Sequence, residues 1–222
     1  MRKENRYLIS MKEVPSLLSV LNEKAFIDEH CLETGSYFVI TRYLLKWKSL
    51  IGKGKIRLKT YRINISTTYV LENKYNINGY SYKVRMQLDE IQAKGLQDCH
   101  SISGIIDYIG ILNQDMLFFL MDNNLKMKTS DITVCYERIA YTMDYVDKCY
   151  RITIDKNLYS VYENEEDLLF NGDFCIVEIK GQHISVELLS SLRIDEQKNV
   201  LKTSKYKLVQ NKTSDKIAAV RN

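Results

Sequence analysis

The chain has one proline in 222 residues, Pro15, and three histidines. So little proline argues against proline-rich linkers and favours uninterrupted strands and long helices. His30, His100 and His183 have no metal-ligand spacing, and none of Cys31, Cys99, Cys135, Cys149 and Cys175 forms a Cys-x-x-Cys pair. A zinc site of the usual kind has no basis here. The cysteine number is odd, and Cys135, Cys149 and Cys175 fall inside apolar strand-like runs. They read as buried thiols of a reducing compartment. Long apolar runs are also missing: the longest, 105–120, is interrupted by Asp107, Asn113, Gln114 and Asp115. It is too short and too polar to span a bilayer. The start, Met1-Arg2-Lys3-Glu4-Asn5-Arg6, carries no apolar signal region. The expected location is cytoplasmic.

What is present is a globular composition. Hydrophobic residues make up 45% and charged residues 27%, with 16 tyrosines and a net charge of +4. A core is affordable by composition, and disorder is not expected. One domain over residues 1–222 is expected, with a core of about 2–207 and a polar tail from Asp195. Strands are expected at 3–9, 36–41, 55–64, 67–75, 80–88, 131–142, 148–155 and 173–181. Asn78-Gly79 marks a hairpin. Helices are expected at 10–23, capped by Ser10 with Glu13 as a capping box; at 42–50 around Trp47; at 89–128 with a break near 100–103; at 163–170; and at 186–192, capped by Ser185.

The distribution of cations is the informative feature. Successive strand side chains alternate between sheet faces, so residues two apart share a face. Arg57 and Lys59, Lys83 and Arg85 are such pairs, and Lys74, Arg138, Arg151 and Lys180 also fall on strand-like segments. Glu4 stands beside Arg6, Glu72 beside Lys74 and Glu178 beside Lys180, while Ile56, Leu58, Val177 and Ile179 supply apolar opposite faces. For a single strand, a solvated face explains such a pattern. Its recurrence on most strands points to a shared anion-binding face, because like charges side by side repel. A packed core cannot hold ten cations unless water and anions accompany them. Counting Arg6 and Lys205, ten cations and three carboxylates would then line a tunnel for phosphates and a divalent metal.

Eight pieces in order carry a resemblance. They are Glu-Asn-Arg-Tyr-Leu-Ile-Ser at 4–10, Lys-Ile-Arg-Leu-Lys-Thr-Tyr at 55–61, Leu-Glu-Asn-Lys at 71–74 and Lys-Val-Arg at 83–85. The others are Val-Cys-Tyr-Glu-Arg-Ile-Ala-Tyr at 134–141, Arg-Ile-Thr-Ile-Asp at 151–155, Val-Glu-Ile-Lys at 177–180 and Ser-Lys-Tyr at 204–206. Together they resemble the VTC domain, the polyphosphate polymerase branch of the triphosphate tunnel metalloenzymes. The resemblance implies an α+β fold: an eight-stranded antiparallel β-barrel tunnel with helices packed around it. It implies transfer of the γ-phosphate of ATP, or another nucleoside triphosphate, to a growing polyphosphate chain, with Mn²⁺ or Mg²⁺. Arg57, Lys59, Lys74, Arg138, Arg151 and Lys205 would be catalytic. Arg6, Lys83, Arg85, Lys180, Ser204 and Tyr206 would bind substrate. Glu178, with Glu4 and Glu72, would bind metal.

Three departures from the family pattern bear on this. Arg6 stands where the family usually has Lys, which keeps charge but changes geometry. The segment Tyr37-Phe38-Val39-Ile40-Thr41 lacks the Asp common after the aromatic pair. A free-standing domain without a transmembrane or phosphate-sensing segment is expected, so translocation would need a membrane or operon partner. The sister CYTH branch begins Glu-x-Glu-x-Lys; here those positions read Arg2-Lys3-Glu4-Asn5-Arg6. Fewer carboxylates weigh against a triphosphatase or cyclase. A non-catalytic polyphosphate or nucleotide binder is the alternative from another class. DNA is not an expected partner, since a narrow tunnel excludes duplexes.

Overall fold

The computed structural model describes residues 3–220 apart from 79, 122–124, 131, 163 and 164. In chain order it has β1 (Lys3–Ser10), α1 (Val14–Lys24), β2 (Phe26–Ile27), β3 (Tyr37–Lys48), β4 (Gly52–Ile63), β5 (Ser66–Ile77) and β6 (Tyr80–Leu88). Three helices follow, α2 (Glu90–Gln97), α3 (Ile102–Leu112) and α4 (Gln114–Met121). Then come β7 (Lys126–Thr129), β8 (Thr133–Tyr145), β9 (Lys148–Tyr162), β10 (Glu165–Leu168) and β11 (Phe174–Gly181). Helices α5 (Val186–Ser191), α6 (Glu196–Asn199) and α7 (Lys205–Val220) complete the described chain.

Most expected elements are present, and the exceptions have physical causes. Ser10 does not cap a helix. Its backbone stays extended because it pairs with Phe174 in β11, so α1 begins at Val14, with Pro15 in its first turn. Half of the expected capping box survives, since the Ser10 N–H donates to Glu13 at 3.2 Å. The expected helix at 42–50 is instead the second half of β3, a twelve-residue strand. A short apolar run reads equally as buried strand or buried helix. Here a ladder decides: Leu45, Lys46, Trp47 and Lys48 pair with Thr129, Lys128, Met127 and Lys126 of β7. The end of the expected helix at 89–128 is drawn into that same ladder as β7. Likewise, residues 165–168 of the expected helix at 163–170 pair with Tyr162 to Tyr159 of β9; Glu163 lies outside the described residues. The Asn78-Gly79 turn has Asn78 at φ 50°, the left-handed region a tight hairpin requires, and Gly79 lies outside the described residues. Ser185 caps α5 as expected, accepting from the Leu188 N–H.

The chain forms two compact units, residues 1–39, 63–65 and 134–222 in the first, 40–62 and 66–133 in the second. In the first, strands run in the order β1-β11-β9-β8, with β10 on β9 and β2 on β8. One sheet face packs Tyr7, Ile152, Ile154, Val177 and Ile179 against Leu17 and Leu21 of α1 and Leu188 of α5. In the second, the order is β3-β4-β5-β6, with β7 on β3. Leu45, Trp47, Ile56, Leu58 and Leu71 pack against Ala93, Leu96, Ile105 and Ile109 of the helices. Gly54 lies against the Trp47 indole, where any Cβ would collide with the ring. Both units are antiparallel sheets with helices on one face, an α+β fold; among the described residues the strand order does not close on itself, so the expected eight-stranded barrel is not shown. Among the described residues no helix is long and apolar enough to cross a membrane.

Candidate functional site

Each unit turns a charged face away from its own apolar core. In the first, alternation brings Glu4 and Arg6 of β1, Glu178 and Lys180 of β11, and Arg151, Thr153 and Asp155 of β9 to one side. Register places Glu4 across from Lys180 and Lys180 across from Arg151; in the next row Arg6 faces Glu178 and Glu178 faces Thr153. Arg6 donates from Nε to Glu178 Oε2 at 3.2 Å and from Nη2 to Glu4. Lys180 Nζ bonds Glu178 Oε1 and lies 3.5 Å from Glu4 Oε2. Two carboxylates and two cations therefore alternate in a ring.

Beside it lies Asp155, with no exposed surface. Arg138 of β8 grips it with Nε at 2.6 Å and Nη2 at 2.7 Å, and Lys205, the first residue of α7, reaches Oδ2 at 2.5 Å. The Arg138 guanidinium and the Lys205 ammonium also stand over the Tyr136 ring, at 5.1 and 5.0 Å from its centroid. Burial alone raises a carboxyl pKa, but the charges of Arg138 and Lys205 hold Asp155 below its usual range. Glu178 behaves alike: burial opposes ionisation, yet Lys205, Lys180 and Arg138 hold it well below. Thr153, in the row with Arg6 and Glu178, has a buried hydroxyl oxygen without a hydrogen-bond partner among the described residues. A buried polar atom left unpaired is costly, and an absent ligand or water is the usual reason.

In the second unit the face centres on Glu72 of β5, which has no exposed surface. Arg57 of β4 donates Nε to Oε1 at 2.7 Å and adds Nη2; Arg85 of β6 donates Nε to Oε2 at 2.7 Å. Burial pushes the Glu72 carboxyl up, but Arg57, Arg85 and Lys59 outweigh it and bring the pKa to about 2. Lys59 is buried, with Nζ 2.6 Å from the Tyr61 hydroxyl and 4.8 Å from its ring centroid. Lys74 and Lys83 are register partners one step along the same face.

The expected site residues are thus gathered in two groups. Glu4, Arg6, Arg138, Glu178, Lys180 and Lys205 meet in the first unit; Arg57, Lys59, Glu72 and Arg85 meet in the second, with Lys74 and Lys83 beside them. Arg151 shares the first face by register, but its guanidinium turns to Asp28, 2.9 Å away. Ser204 accepts a bond from the Lys207 N–H at the start of α7, and Tyr206 is buried at 2% exposure. Arg2, invoked against the sister branch, lies outside the described residues. Sequence reading missed Asp28, Thr153 and Asp155 as site residues. Asp155 had a signal: it closes the Arg-Ile-Thr-Ile-Asp run, on the same face as Arg151, inside an apolar strand.

A divalent ion would have limited protein ligands. Among the described residues no three His, Cys, Asp or Glu side chains gather as a metal-holding group. Glu4 and Glu178 are bridged by the same two cations, and Glu178 faces Thr153 across the ladder. A hard divalent ion there would have to displace Arg6 and Lys180 from the carboxylates and take its other ligands from water and phosphate oxygens. Glu72 is engaged in the same way, each oxygen accepting from an arginine, and it has no exposed surface.

A family model for the VTC domain matches residues 1–210. The chain belongs to the VTC domain family. Among solved structures, this VTC domain is similar to the PH1819 protein of Pyrococcus horikoshii OT3. Identity is 15%, coverage is 96% of this chain and 98% of that one, and the TM-score is 0.50. It is also similar to a Bacillus halodurans protein described as a candidate adenylate cyclase, at 15% identity, covering 93% and 97%, with a TM-score of 0.49. The first likeness supports the fold alone. No curated protein matches the chain.

Proposed function

We propose that this VTC domain is a polyphosphate polymerase that moves the γ-phosphate of ATP, or of another nucleoside triphosphate, onto a growing polyphosphate chain. In this reaction a terminal oxygen of the acceptor chain attacks the γ-phosphorus. The bond from that phosphorus to the β–γ bridging oxygen breaks, and ADP leaves. Such transfer needs positioning and charge stabilisation more than covalent help from protein. The observation that carries the reading is the first unit's face. There Arg6, Arg138, Lys180 and Lys205 converge on buried carboxylates beside the unpaired Thr153 hydroxyl. An arriving phosphate can take over cations that Glu4 and Glu178 now hold, and the Thr153 hydroxyl can donate to a phosphate oxygen. Glu178 with Glu4 would hold Mn²⁺ or Mg²⁺, which supplies charge neutralisation of the phosphates. In the second unit Arg57, Lys59 and Arg85 would hold phosphate charge around Glu72, with Lys74 and Lys83 extending that hold. Membership of the VTC family supports the substrate class.

The test is purified protein with ATP and Mn²⁺, a polyphosphate dye assay and nucleotide chromatography. Polyphosphate and ADP are expected, and Glu178→Gln and Arg57→Ala should each lose about 10²–10³-fold in rate. AMP with pyrophosphate, or free phosphate alone, would replace the polymerase by a reaction of the sister branch. No turnover with tight polyphosphate binding would make the protein a binder.

A further inference from the structure

In the first unit, one cation of the charged face is held from outside it. Arg151 is the register partner of Lys180, and by alternation it shares a side with Thr153 and Asp155. The carboxylates on that side, Glu4, Glu178 and Asp155, belong to β1, β11 and β9 and pair with Arg6, Lys180, Arg138 and Lys205. Arg151 reaches instead to Asp28, with Nη1 at 2.9 Å from Oδ2. Asp28 follows β2, which lies on β8 through the pairs Phe26–Thr142 and Ile27–Tyr141. Its N–H continues that ladder to the Ala140 carbonyl at 2.8 Å. The ion pair therefore spans β8, from β2 on one side to β9 on the other. Tyr141 and Met143 point into the apolar core, so the small residues Ala140 and Thr142 lie under the pair.

Asp28 is the fixed half of the pair. Its Oδ1 accepts from the His30 N–H at 3.1 Å and its carbonyl accepts from the Cys31 N–H at 2.8 Å, which closes a tight turn over Glu29–Cys31. Cys31 has no exposed surface and donates from Sγ to the Arg138 carbonyl at 3.8 Å. The His30 ring packs edge-to-face with Tyr37, 6.0 Å between centroids. Arg151 is the movable half. Among Arg6, Arg138, Arg151, Lys180 and Lys205 it is the most exposed, at 37% against 29% for Lys180, the next. An ion pair this exposed contributes little to stability, whereas a phosphate takes a guanidinium through two charge-assisted bonds. A phosphate on the face can therefore draw Arg151 off Asp28 without disturbing the fold.

We infer that Asp28 regulates the site by competing with phosphate for Arg151. The arginine rests on Asp28 in the ligand-free chain and crosses to the phosphates of a bound ligand. Each binding event breaks the Asp28 pair, so affinity stays below what the cations alone would give. The inference rests on the polyphosphate reading and adds the regulation of that same site. A site of this kind suits a transferase, because holding substrate and product with uniform tightness does not speed turnover.

Asp28→Asn removes the charge and keeps an oxygen for the His30 N–H. On the full chain, without nucleotide, this variant should bind tripolyphosphate about 5-fold tighter than wild type. Asp28→Ser, another uncharged capping residue, should give the same gain. In an Arg151→Gln background the Asp28→Asn exchange should change affinity by less than about 2-fold, because no guanidinium is left to release. The ligand-free Asp28→Asn chain should melt within about 3 °C of wild type. Unchanged or weaker binding by both Asp28 variants would overturn the inference and make Asp28 a support of the turn. A large drop in melting temperature for both would do the same. An equal gain in the Arg151→Gln background would also overturn it, since the lost carboxylate would then act on the ligand directly. Absence of tripolyphosphate binding by wild type and variants alike would sink the inference together with the polyphosphate reading. Absence of synthesis from ATP with the Arg151-dependent gain intact would sink the polymerase reading and keep the role of Asp28.

Discussion

The two charged faces solve the same electrostatic problem differently. In the first unit, three carboxylates (Glu4, Asp155, Glu178) meet four cations (Arg6, Arg138, Lys180, Lys205), so the group is close to neutral without any ligand. In the second, Glu72 meets Arg57 and Arg85. A nearly neutral, buried group can be rigid before any ligand arrives, which is what the proposed transfer asks of its reacting site. Two arginines on one carboxylate keep an uncompensated positive charge at the group, which suits the phosphate-holding part of the proposed function.

The comparison breaks most visibly at Arg138. Replacing it with Ala leaves Asp155 buried with Lys205 as its remaining cation. A loss of about 3–5 kcal/mol in unfolding free energy is expected from denaturant titration. Arg85→Ala removes a cation whose side chain is about half exposed, 51%, while Arg57 stays on Glu72. There the expected loss is below about 1 kcal/mol. Equal losses at the two positions would mean that burial does not separate the faces.

Acid sharpens the same contrast. The Glu72 pKa lies at about 2 in the folded protein, against an ordinary 4.5. A depressed carboxylate contributes stability that is present above 4.5 and disappears as pH falls towards 2. For a fully buried group that is worth about 3 kcal/mol. Asp155 and Glu178 are shifted in the same direction, so they add to the loss over the acid range. Glu72→Gln should flatten the decline in stability between pH 4.5 and pH 2 by about one proton, measured by denaturant midpoints across that range. A variant with an unchanged slope would show that Glu72 does not carry it.

Smaller effects are expected where the chain departs from its family. Arg6→Lys restores the residue usual in VTC domains and keeps the charge between Glu4 and Glu178. It loses Arg6's simultaneous reach to both carboxylates. Stability should change by less than about 1 kcal/mol, and the rate of polyphosphate synthesis by less than about 10-fold. A larger loss would mean that the guanidinium fork itself holds substrate.

Much of this was legible in the chain. Alternation in Lys-Ile-Arg-Leu-Lys and Val-Glu-Ile-Lys told which residues share a face, because a strand's side chains alternate whatever its neighbours are. The meander over β4, β5 and β6, the break between α2 and α3, and the Ser185 cap were visible for similarly local reasons. The second half of β3 was not. Its run from Arg42 to Lys48 has no local feature that separates strand from helix; the ladder with β7, some eighty residues later, makes the choice. Asp155 was overlooked for a related reason. Its partners Arg138 and Lys205 lie 17 and 50 residues away, at separations with no periodic signature.

Sequence alone thus determined the family and the alternating cations, since these depend on residue type and on spacing within one strand. Tertiary structure decided which charges pair with one another. Arg151 turns to Asp28, Arg57 and Arg85 share Glu72, and Arg138 and Lys205 share Asp155. The physical reason is range. Alternation acts over two residues, whereas ion pairing and strand register act across space and are fixed only when the strands are laid side by side.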